Sequence, residues 1–317
     1  MRIVCDAHIP FLLEAVQKAW PQVEIIPLKP EEIDASAVKD ADVLVVRTRT
    51  KVNETLLADS NVQLVCTATI GYDHIDTAYC ESQGIRWMSC PGCNAQAVCD
   101  YIEEALQETR AQGTIGVVGV GHVGSLVAKM AERRGMKVLL NDPPKGIGVS
   151  LDFIAQNSDI ITFHVPLDKT TYHLCNDTFL NKCKPDAFII NAARGGVVDE
   201  QALLRSGHPF ILDTWENEPN IHPEILAKAL LASMHIAGYS VAGKRNASQM
   251  CLNAIAELFN LQKIDISKSR GLDISKQKGD TAPGWISRIS DQLKADPTAF
   301  EALRKAYPLR GELIDRA

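Results

Sequence analysis

Short apolar runs recur along residues 1–92, and polar stretches with helical periodicity separate them. Each run is nearly continuous in apolar residues, which is typical of parallel strands covered by helices on both faces. The strands predicted here are Arg2–Cys5, Val23–Pro27, Val43–Val46, Val62–Cys66 and Ile85–Ser89. Their alternation with helices predicts a parallel α/β sheet.

A second series of apolar runs follows, with the same character. Its predicted strands are Thr114–Val118, Lys137–Asn141, Ile160–Val165, Ala187–Asn191, Phe210–Asp213 and Met234–Ile236. Helical spacing of apolar residues predicts the main helices. These are Leu12–Ala19, Asn94–Arg110, Val123–Arg134, Asn246–Leu261, Trp285–Lys294 and a last helix that starts at Asp296. The chain therefore has two α/β series and a short helical tail.

The composition is that of a globular protein with room for two domains. The chain has 317 residues, of which 46% are hydrophobic and 23% charged. The net charge is −6 without a block of like charge, which argues against a nucleic-acid or membrane surface. No run approaches the ~18 apolar residues of a membrane span, and the start lacks a signal-peptide pattern. We expect a cytoplasmic protein.

A glycine pattern gives the first chemical signal. The segment from Gly119 to Gly124 reads G-x-G-x-x-G, follows a predicted strand and opens a predicted helix. Asp142 ends the next strand, where a carboxylate can bind an adenosine ribose. This order favours NAD over a plain glycine turn, while Lys145 leaves NADP open. The predicted cofactor-binding residues in this part are Gly119, Gly121, His122, Val123, Gly124 and Asp142.

Three residues further along form a second signal: Arg194, Glu218 and His235. A guanidinium can bind a substrate carboxylate with two parallel hydrogen bonds. A histidine, whose ordinary pKa is about 6.5, is suited to move the proton of a hydroxyl group. A carboxylate on its other ring nitrogen would orient it. The three are the predicted catalytic residues of a dehydrogenase active site.

The nine cysteines are scattered through apolar segments, which suits a reducing compartment. Cys90 and Cys93 form a C-x-x-C before a predicted helix, so a thiol redox pair is an alternative chemistry. The histidines do not form a ligand cluster, and we predict no metal.

With these motifs, residues 1–260 resemble the D-2-hydroxyacid dehydrogenases. One branch, whose members act on a phosphorylated hydroxy acid, is more similar than the rest. The segments that carry this likeness are Val46–Asn53, Thr67–Asp76, Pro91–Val98, Asn141–Pro144 and His235–Lys244. Two departures are a shorter C-terminal region and Val165, where the branch usually has threonine. The missing hydroxyl would face the cofactor.

The resemblance implies an α/β fold with two doubly wound parallel-sheet domains and a small α-rich C-terminal extension. A flavodoxin-like substrate domain would comprise residues 1–92 and 241–262, and a Rossmann NAD domain residues 93–240. Residues 263–317 would form the extension, which mediates dimerisation in the family. A homodimer is therefore expected.

The resemblance also implies further site residues. Cofactor contacts are expected at Ala192, Ala193, Asp213 and Gly238. Substrate contacts are expected at Arg47, Thr48, Thr69 and Tyr239, and the basic groups available for a phosphate are Arg49, Lys51, Lys244 and Arg245. Two other functions stay open: a dehydrogenase for another D-2-hydroxy acid, and a non-enzymatic NAD-binding regulator on the same fold. The complete Arg194, Glu218 and His235 set argues against the regulator.

Overall fold

The computed structural model describes residues 1–267 and 282–310, which fall into two compact units. The first unit comprises Met1–Asn94 with the described residues 240–267, and the second comprises Ala95–Tyr239 with residues 282–310. Predictions made for residues 268–281 and 311–317 lie outside the described residues.

The first unit is built on a parallel sheet with the strand order β2-β1-β3-β4-β5. Its strands are β1 (Arg2–Asp6), β2 (Glu24–Leu28), β3 (Val43–Val46), β4 (Leu64–Thr67) and β5 (Arg86–Met88). Its helices are α1 (Leu12–Ala19), α2 (Ala35–Val38), α3 (Glu54–Leu57), α4 (Thr77–Ser82) and α11 (Val241–Leu258), with a 3₁₀ helix at Pro30–Glu32.

Successive strand residues of this sheet enter two different cores. Ile3 and Val43 pack in one core together with Leu252 of α11, whereas Val4 and Leu44 pack in the other together with residues of α2 and α3. Side chains of a strand alternate between the faces of the sheet, so both faces are buried. This explains the continuous apolar runs.

The second unit contains a larger sheet with the order β12-β11-β10-β9-β6-β7-β8. Its strands are β6 (Thr114–Val118), β7 (Lys137–Asp142), β8 (Ile147–Gly148), β9 (Ile160–Phe163), β10 (Phe188–Asn191), β11 (Phe210–Leu212) and β12 (Leu231–Ala232). The chain proceeds outward from β6 in one direction and from β9 in the other, so the order reverses between these two strands. In such sheets ligands bind at the carboxyl ends beside the reversal.

Helices surround this sheet. They are α5 (Ala95–Glu108), α6 (His122–Arg133), α7 (Leu151–Asn157), α8 (Asp177–Leu180), α9 (Glu200–Ser206), α10 (Pro223–Lys228), α12 (Trp285–Ala295) and α13 (Phe300–Ala306). Short 3₁₀ helices occur at Pro143–Lys145, Gly195–Val197 and Pro297–Ala299. The apolar stripe predicted on α5 is buried, and the ring of Trp285 in α12 packs edge-on against Tyr101 at 5.8 Å. Ser290 of α12 accepts a hydrogen bond from the backbone of Ala232 at 3.0 Å.

The predicted fold class is confirmed, with three local corrections. The strand predicted at Met234–Ile236 is wrong: the strand here is β12, which ends earlier, at Ala232. The chain then bends, and His235 has φ 58°. The helix predicted from Asn246 starts at Val241, where Ser240 caps it by accepting from Gly243 N–H at 2.9 Å. The second sheet is not wholly parallel, since β8 pairs antiparallel with β7.

Candidate active site

Three adjacent strands of the second sheet lead to the predicted catalytic residues. β10, β11 and β12 are parallel neighbours, so their carboxyl ends share one edge. Arg194 follows β10, Glu218 follows β11 and His235 follows β12. The fold thereby gathers three residues that are distant in sequence at the edge where ligands of such sheets bind.

Glu218 and His235 form a hydrogen-bonded pair. Oε2 of Glu218 lies 2.8 Å from Nδ1 of His235, and Oε1 accepts from the backbone N–H of Trp215 at 2.9 Å. The side chains are 20% and 29% exposed, so solvent and small molecules reach them. Because Nδ1 faces the carboxylate, Nε2 is the ring nitrogen that remains for a reacting proton.

The environment of Glu218 favours its ionised form. Burial raises the pKa of this carboxyl, but the hydrogen bond and charge of His235 lower it, as do the Trp215 N–H and the charge of Arg304. The net result is a pKa below the usual value of a glutamate. Glu218 is therefore a carboxylate that can stabilise an imidazolium at His235.

The backbone after β12 is held by Asp213. This carboxylate is 1% exposed; Oδ1 accepts from the Ile236 N–H at 2.8 Å and Oδ2 from the Ala237 N–H at 2.9 Å. His235 N–H also donates to the carbonyl of Asp213 at 2.8 Å. A left-handed backbone is uncommon for histidine, and these bonds maintain it at His235.

Arg194 lies at the start of the 3₁₀ helix Gly195–Val197, in a turn fixed by Asn191. The Asn191 amide donates to the Arg194 carbonyl at 2.8 Å and its oxygen accepts from Ala193 N–H at 3.0 Å. The half-buried guanidinium donates to the carbonyl of Ala193 at 2.8 Å. A side chain at Gly195 would collide with the backbone of Trp215, so this turn packs against the loop that leads to Glu218.

The glycine loop has the geometry of an anion site. Gly119 has φ 89°, and a Cβ on Gly124 would collide with the carbonyl of Gly119. At Gly121, by contrast, no atom beyond the glycine and its two chain neighbours lies within 4 Å of where a Cβ would be. The helix α6 starts here at His122, followed by Val123, without a side-chain cap on its first N–H groups. Open N–H groups at a helix start bind phosphate.

Asp142 is tied to the same loop. Its Oδ2 accepts from the Val120 N–H at 2.8 Å and lies 3.7 Å from Nζ of Lys145. Lys145 in turn donates to the carbonyl of Val120 at 2.7 Å. The acid is thereby fixed at the end of β7, next to the glycine turn, as an NAD ribose site requires.

The remaining predicted cofactor residues are half-buried: Ala192 and Ala193 directly follow β10, and Gly238 lies in the chain beyond β12. Of the predicted substrate residues, Tyr239 is in the second unit, whereas Arg47, Thr48 and Thr69 follow β3 and β4 of the first unit. Thr48 is exposed, and Thr69 Oγ1 lies 2.7 Å from Thr67 Oγ1.

Arg47 has a protein partner that the sequence interpretation missed. Its guanidinium donates to both oxygens of the buried Asp6, at 2.7 and 3.1 Å. Burial raises the pKa of Asp6, but hydrogen bonds from Arg47 and His8 outweigh it and keep this pKa low. The position of Asp6 at the end of β1 was the available signal. The sequence interpretation also missed two buried residues that bond to the backbone near the predicted catalytic residues: Glu200, which accepts from Glu216 N–H, and Arg310, which donates to the carbonyls of Ile236 and Ala237.

The alternative thiol chemistry has an unfavourable setting. Cys90 and Cys93 are free and 0% and 8% exposed, and Cys90 Sγ lies 3.8 Å from Sγ of Cys251. Burial and the neighbouring Cys90 raise the pKa of Cys93 to about 12. Thiol exchange needs an accessible thiolate, which this setting disfavours.

Residues 96–237 match the family model described as "D-isomer specific 2-hydroxyacid dehydrogenase, NAD binding domain". In an alignment 340 positions long, the chain is 43% identical to an erythronate-4-phosphate dehydrogenase of Bacteroides fragilis. The alignment covers 98% of this chain and 97% of that protein. The chain belongs to the erythronate-4-phosphate dehydrogenase family. A relative of the same name from Pseudomonas syringae pv. tomato is 35% identical, with 99% and 93% of the two chains covered.

Solved structures agree with the fold. The NAD-bound 3-phosphoglycerate dehydrogenase of Entamoeba histolytica matches with a TM-score of 0.70 and 25% identity, covering 82% of this chain and 95% of that one. A D-lactate dehydrogenase of Aquifex aeolicus, solved with NAD and lactic acid, matches with a TM-score of 0.66 and 24% identity, covering 81% and 95%. The predicted resemblance and NAD as cofactor are thus confirmed.

Within residues 1–267 and 282–310, no three His, Cys, Asp or Glu side chains are grouped so that they could hold a metal ion. In the same described part of the chain, no helix has the length and apolar character needed to cross a membrane.

Proposed function

We propose that this protein oxidises 4-phospho-D-erythronate to 2-oxo-3-hydroxy-4-phosphobutanoate with NAD, a step of pyridoxal phosphate biosynthesis. The observation that carries the proposal is the Glu218–His235 hydrogen bond of 2.8 Å, at a sheet edge shared with Arg194, in a chain 43% identical to an erythronate-4-phosphate dehydrogenase. The reaction removes a hydride from C2 and a proton from the C2 hydroxyl group.

In this mechanism His235 takes the hydroxyl proton at Nε2 and becomes an imidazolium. Glu218, ionised and bonded to Nδ1, stabilises that charge and keeps the ring oriented. Arg194 binds the substrate carboxylate with its planar guanidinium and polarises the neighbouring oxygen. In the reverse direction His235 returns the proton to the carbonyl oxygen.

The residues of the glycine loop fit NAD. The open space above Gly121 and the uncapped start of α6 suit a pyrophosphate, and Asp142 suits the adenosine ribose. Ala192, Ala193, Asp213 and Gly238 are proposed to contact the nicotinamide half. NAD bound by these residues would supply the acceptor for the hydride of C2.

The substrate phosphate requires cations. Thr48, Arg49 and Lys51 line a cavity of about 580 Å³ in the first unit, together with Asp73, His74 and neighbouring residues. We assign Arg47, Thr48, Thr69 and Tyr239 to substrate binding, and the two cations of the cavity to the phosphate. The same proposal includes a homodimer, a cytoplasmic location and three domains. The domains comprise residues 1–92 with 241–262, residues 93–240, and residues 263–317.

The test is NAD reduction by the purified protein, with a 2-oxo acid present to recycle the cofactor. The substrates compared are 4-phospho-D-erythronate, unphosphorylated erythronate, D-glycerate, D-lactate and 3-phosphoglycerate. Turnover confined to the first compound is expected. Turnover of another acid would keep the mechanism and change the substrate, and NAD binding without any turnover would favour a regulator.

A further inference from the structure

Arg310, at the end of the described chain, reaches the segment that follows His235. Only 3% of this residue is exposed. Its guanidinium donates to the carbonyl of Ile236 at 2.8 Å, to that of Ala97 at 3.2 Å, and to that of Ala237. The fork of a guanidinium can make these bonds in several directions at once, which an ammonium cannot do in the same geometry.

The guanidinium also lies over an aromatic ring. Its central carbon lies 4.8 Å from the ring centre of Trp285, which is itself packed edge-on against Tyr101. Both rings are buried. A cation over a buried indole is attracted by the ring face, so Arg310 has a defined orientation toward the carbonyls.

Asp213 and Arg310 hold the same two residues from opposite sides. The carboxylate of Asp213 accepts from the N–H groups of Ile236 and Ala237, at 2.8 and 2.9 Å, while Arg310 donates to their carbonyl groups. A carboxylate and a guanidinium at the two ends of these peptides reinforce each other's hydrogen bonds. The backbone directly after His235 is therefore fixed by charges of both signs.

Other residues of the C-terminal segment contact Tyr239, two positions beyond Ala237. The guanidinium of Arg304 lies 5.9 Å from its ring centre, and the ring of Tyr307 meets it edge-on at 6.4 Å. The N–H of Arg310 also bonds to the carbonyl of Tyr239 at 3.4 Å. The segment from α13 to Arg310 thus covers the chain from Ile236 to Tyr239.

We propose that Arg310 is a positioning residue of the dehydrogenase reaction: it fixes the peptides after His235, so that the C-terminal segment is part of the active-site framework. The inference rests on the proposed function for the role of His235. Removal of the guanidinium would take this donor from the carbonyl of Ala237 and leave the carbonyl of Ile236 with the N–H of Tyr239, at 2.9 Å. The loss of buried hydrogen bonds is costly and is relieved by a shift of the segment. Such a shift displaces His235 from Glu218 and from the substrate.

The direct test is hydrogen–deuterium exchange of the Ile236 and Ala237 amides in Arg310→Met and Arg310→Lys. Methionine keeps an apolar stem against Trp285 without donors, and lysine keeps the charge without the fork. We expect these amides to exchange at least about 10-fold faster in the methionine variant and to be partly protected in the lysine variant. Arg288→Ala, which removes an exposed guanidinium from α12, is the matched control and should leave the exchange unchanged.

Kinetics separate positioning from a merely structural role. In Arg310→Met, kcat should fall by about 10- to 100-fold while the Kd for NAD rises by a smaller factor, because the glycine loop is untouched and only the proposed nicotinamide contacts at Asp213 and Gly238 are affected. Added methylguanidinium should restore part of kcat. A variant that only loses stability would instead keep kcat per folded molecule. Arg310→Lys, as the conservative variant, should retain more activity than Arg310→Met.

Unchanged exchange at Ile236 and Ala237 in a folded Arg310→Met protein would overturn the proposal, as would an unchanged kcat. If the methionine variant does not fold, the same two measurements on Arg310→Lys test the proposal. Amide exchange and kcat equal to those of the wild type in Arg310→Lys would also contradict it. Inactivity of the wild-type enzyme on 4-phospho-D-erythronate would defeat the proposed substrate and leave the exchange result valid, so the two failures are distinguishable.

Discussion

The buried carboxylate of Glu200 holds the backbone of Glu216. Its Oε1 accepts the Glu216 N–H at 2.7 Å, and Glu200 is 3% exposed. Glu216 lies two positions before Glu218, and its own side chain reaches Nε2 of His173 at 2.5 Å. The loop that presents Glu218 to His235 is therefore fixed by the carboxylate of Glu200, which lies outside that loop.

This carboxylate predicts a pH-dependent stability. Burial raises the pKa of Glu200 from 4.5 to about 7; the charges of Glu216, Glu218 and Asp199 raise it too, while the Glu216 N–H lowers it. The folded state then binds this proton more tightly than the unfolded chain does. The stabilisation is complete below about pH 4.5 and is lost as the pH rises to about 7.

Glu200→Gln should therefore unfold at higher urea concentration than the wild type at pH 8, by about 1–3 kcal/mol in the free energy of unfolding. Glutamine keeps an acceptor for the Glu216 N–H and removes the charge. The advantage should shrink toward pH 5. Glu224→Gln, at an exposed position of α10, is the control. An equal difference at both pH values would show that Glu200 does not titrate in this range.

His235→Asn should lower kcat by about 10²- to 10⁴-fold and flatten its pH dependence, because the group that takes the hydroxyl proton is gone. The KM for the hydroxy acid and the Kd for NAD should change little. Steady-state kinetics from pH 6 to 10 measure this, with His222→Asn, at an exposed position, as the control. A retained pH profile would assign the base to another residue.

Arg194→Ala should raise the KM for the hydroxy acid by at least about 10-fold, since the carboxylate loses its charged, bidentate partner. Arg194→Lys should recover only part of the lost affinity for the hydroxy acid, because an ammonium lacks the planar fork. Inhibition by a 2-oxo acid gives an independent affinity. An equal loss of affinity in Arg194→Ala and His235→Asn would contradict the two roles.

Gly121→Ala and Gly124→Ala should separate cofactor binding from folding. A methyl group at Gly121 meets open space and at Gly124 meets the carbonyl of Gly119. Gly121→Ala should therefore unfold like the wild type but bind NAD at least about 10-fold more weakly, because the methyl group blocks the pyrophosphate. Gly124→Ala should lose stability. Calorimetric NAD titration and urea unfolding measure both. Wild-type NAD affinity in Gly121→Ala would exclude the loop as the phosphate site.

Much of the fold was predictable because it depends on local patterns. The apolar runs located β1, β3 and β6 closely, and the residues after such runs proved to share sheet edges. The strand predicted at Met234–Ile236 failed because strand pairing does not continue through it: the N–H of His235 bonds to the carbonyl of Asp213, but that of Ile236 bonds to the Asp213 side chain. That contact joins two distant segments, and no local pattern reveals it.

The candidate site was predictable only in its chemistry-bearing residues. Arg194, Glu218 and His235 are recognisable by residue type and order, and the structure adds the Glu218–His235 bond. Arg310 and Glu200 were missed for a common reason. In the sequence, Arg310 in the C-terminal tail and Glu200 in the first turn of α9 look like ordinary surface charges. Their burial becomes evident only in the folded chain.

The most direct test of the proposed reaction is to follow the hydrogen at C2. The purified protein would be incubated with NAD and 4-phospho-D-erythronate that carries deuterium at C2, and both products analysed by mass spectrometry. We expect the deuterium on the reduced cofactor, in a one-to-one ratio with 2-oxo-3-hydroxy-4-phosphobutanoate. Formation of the 2-oxo acid without deuterated cofactor, or no reaction by a protein that binds NAD, would contradict hydride transfer as the function of this site.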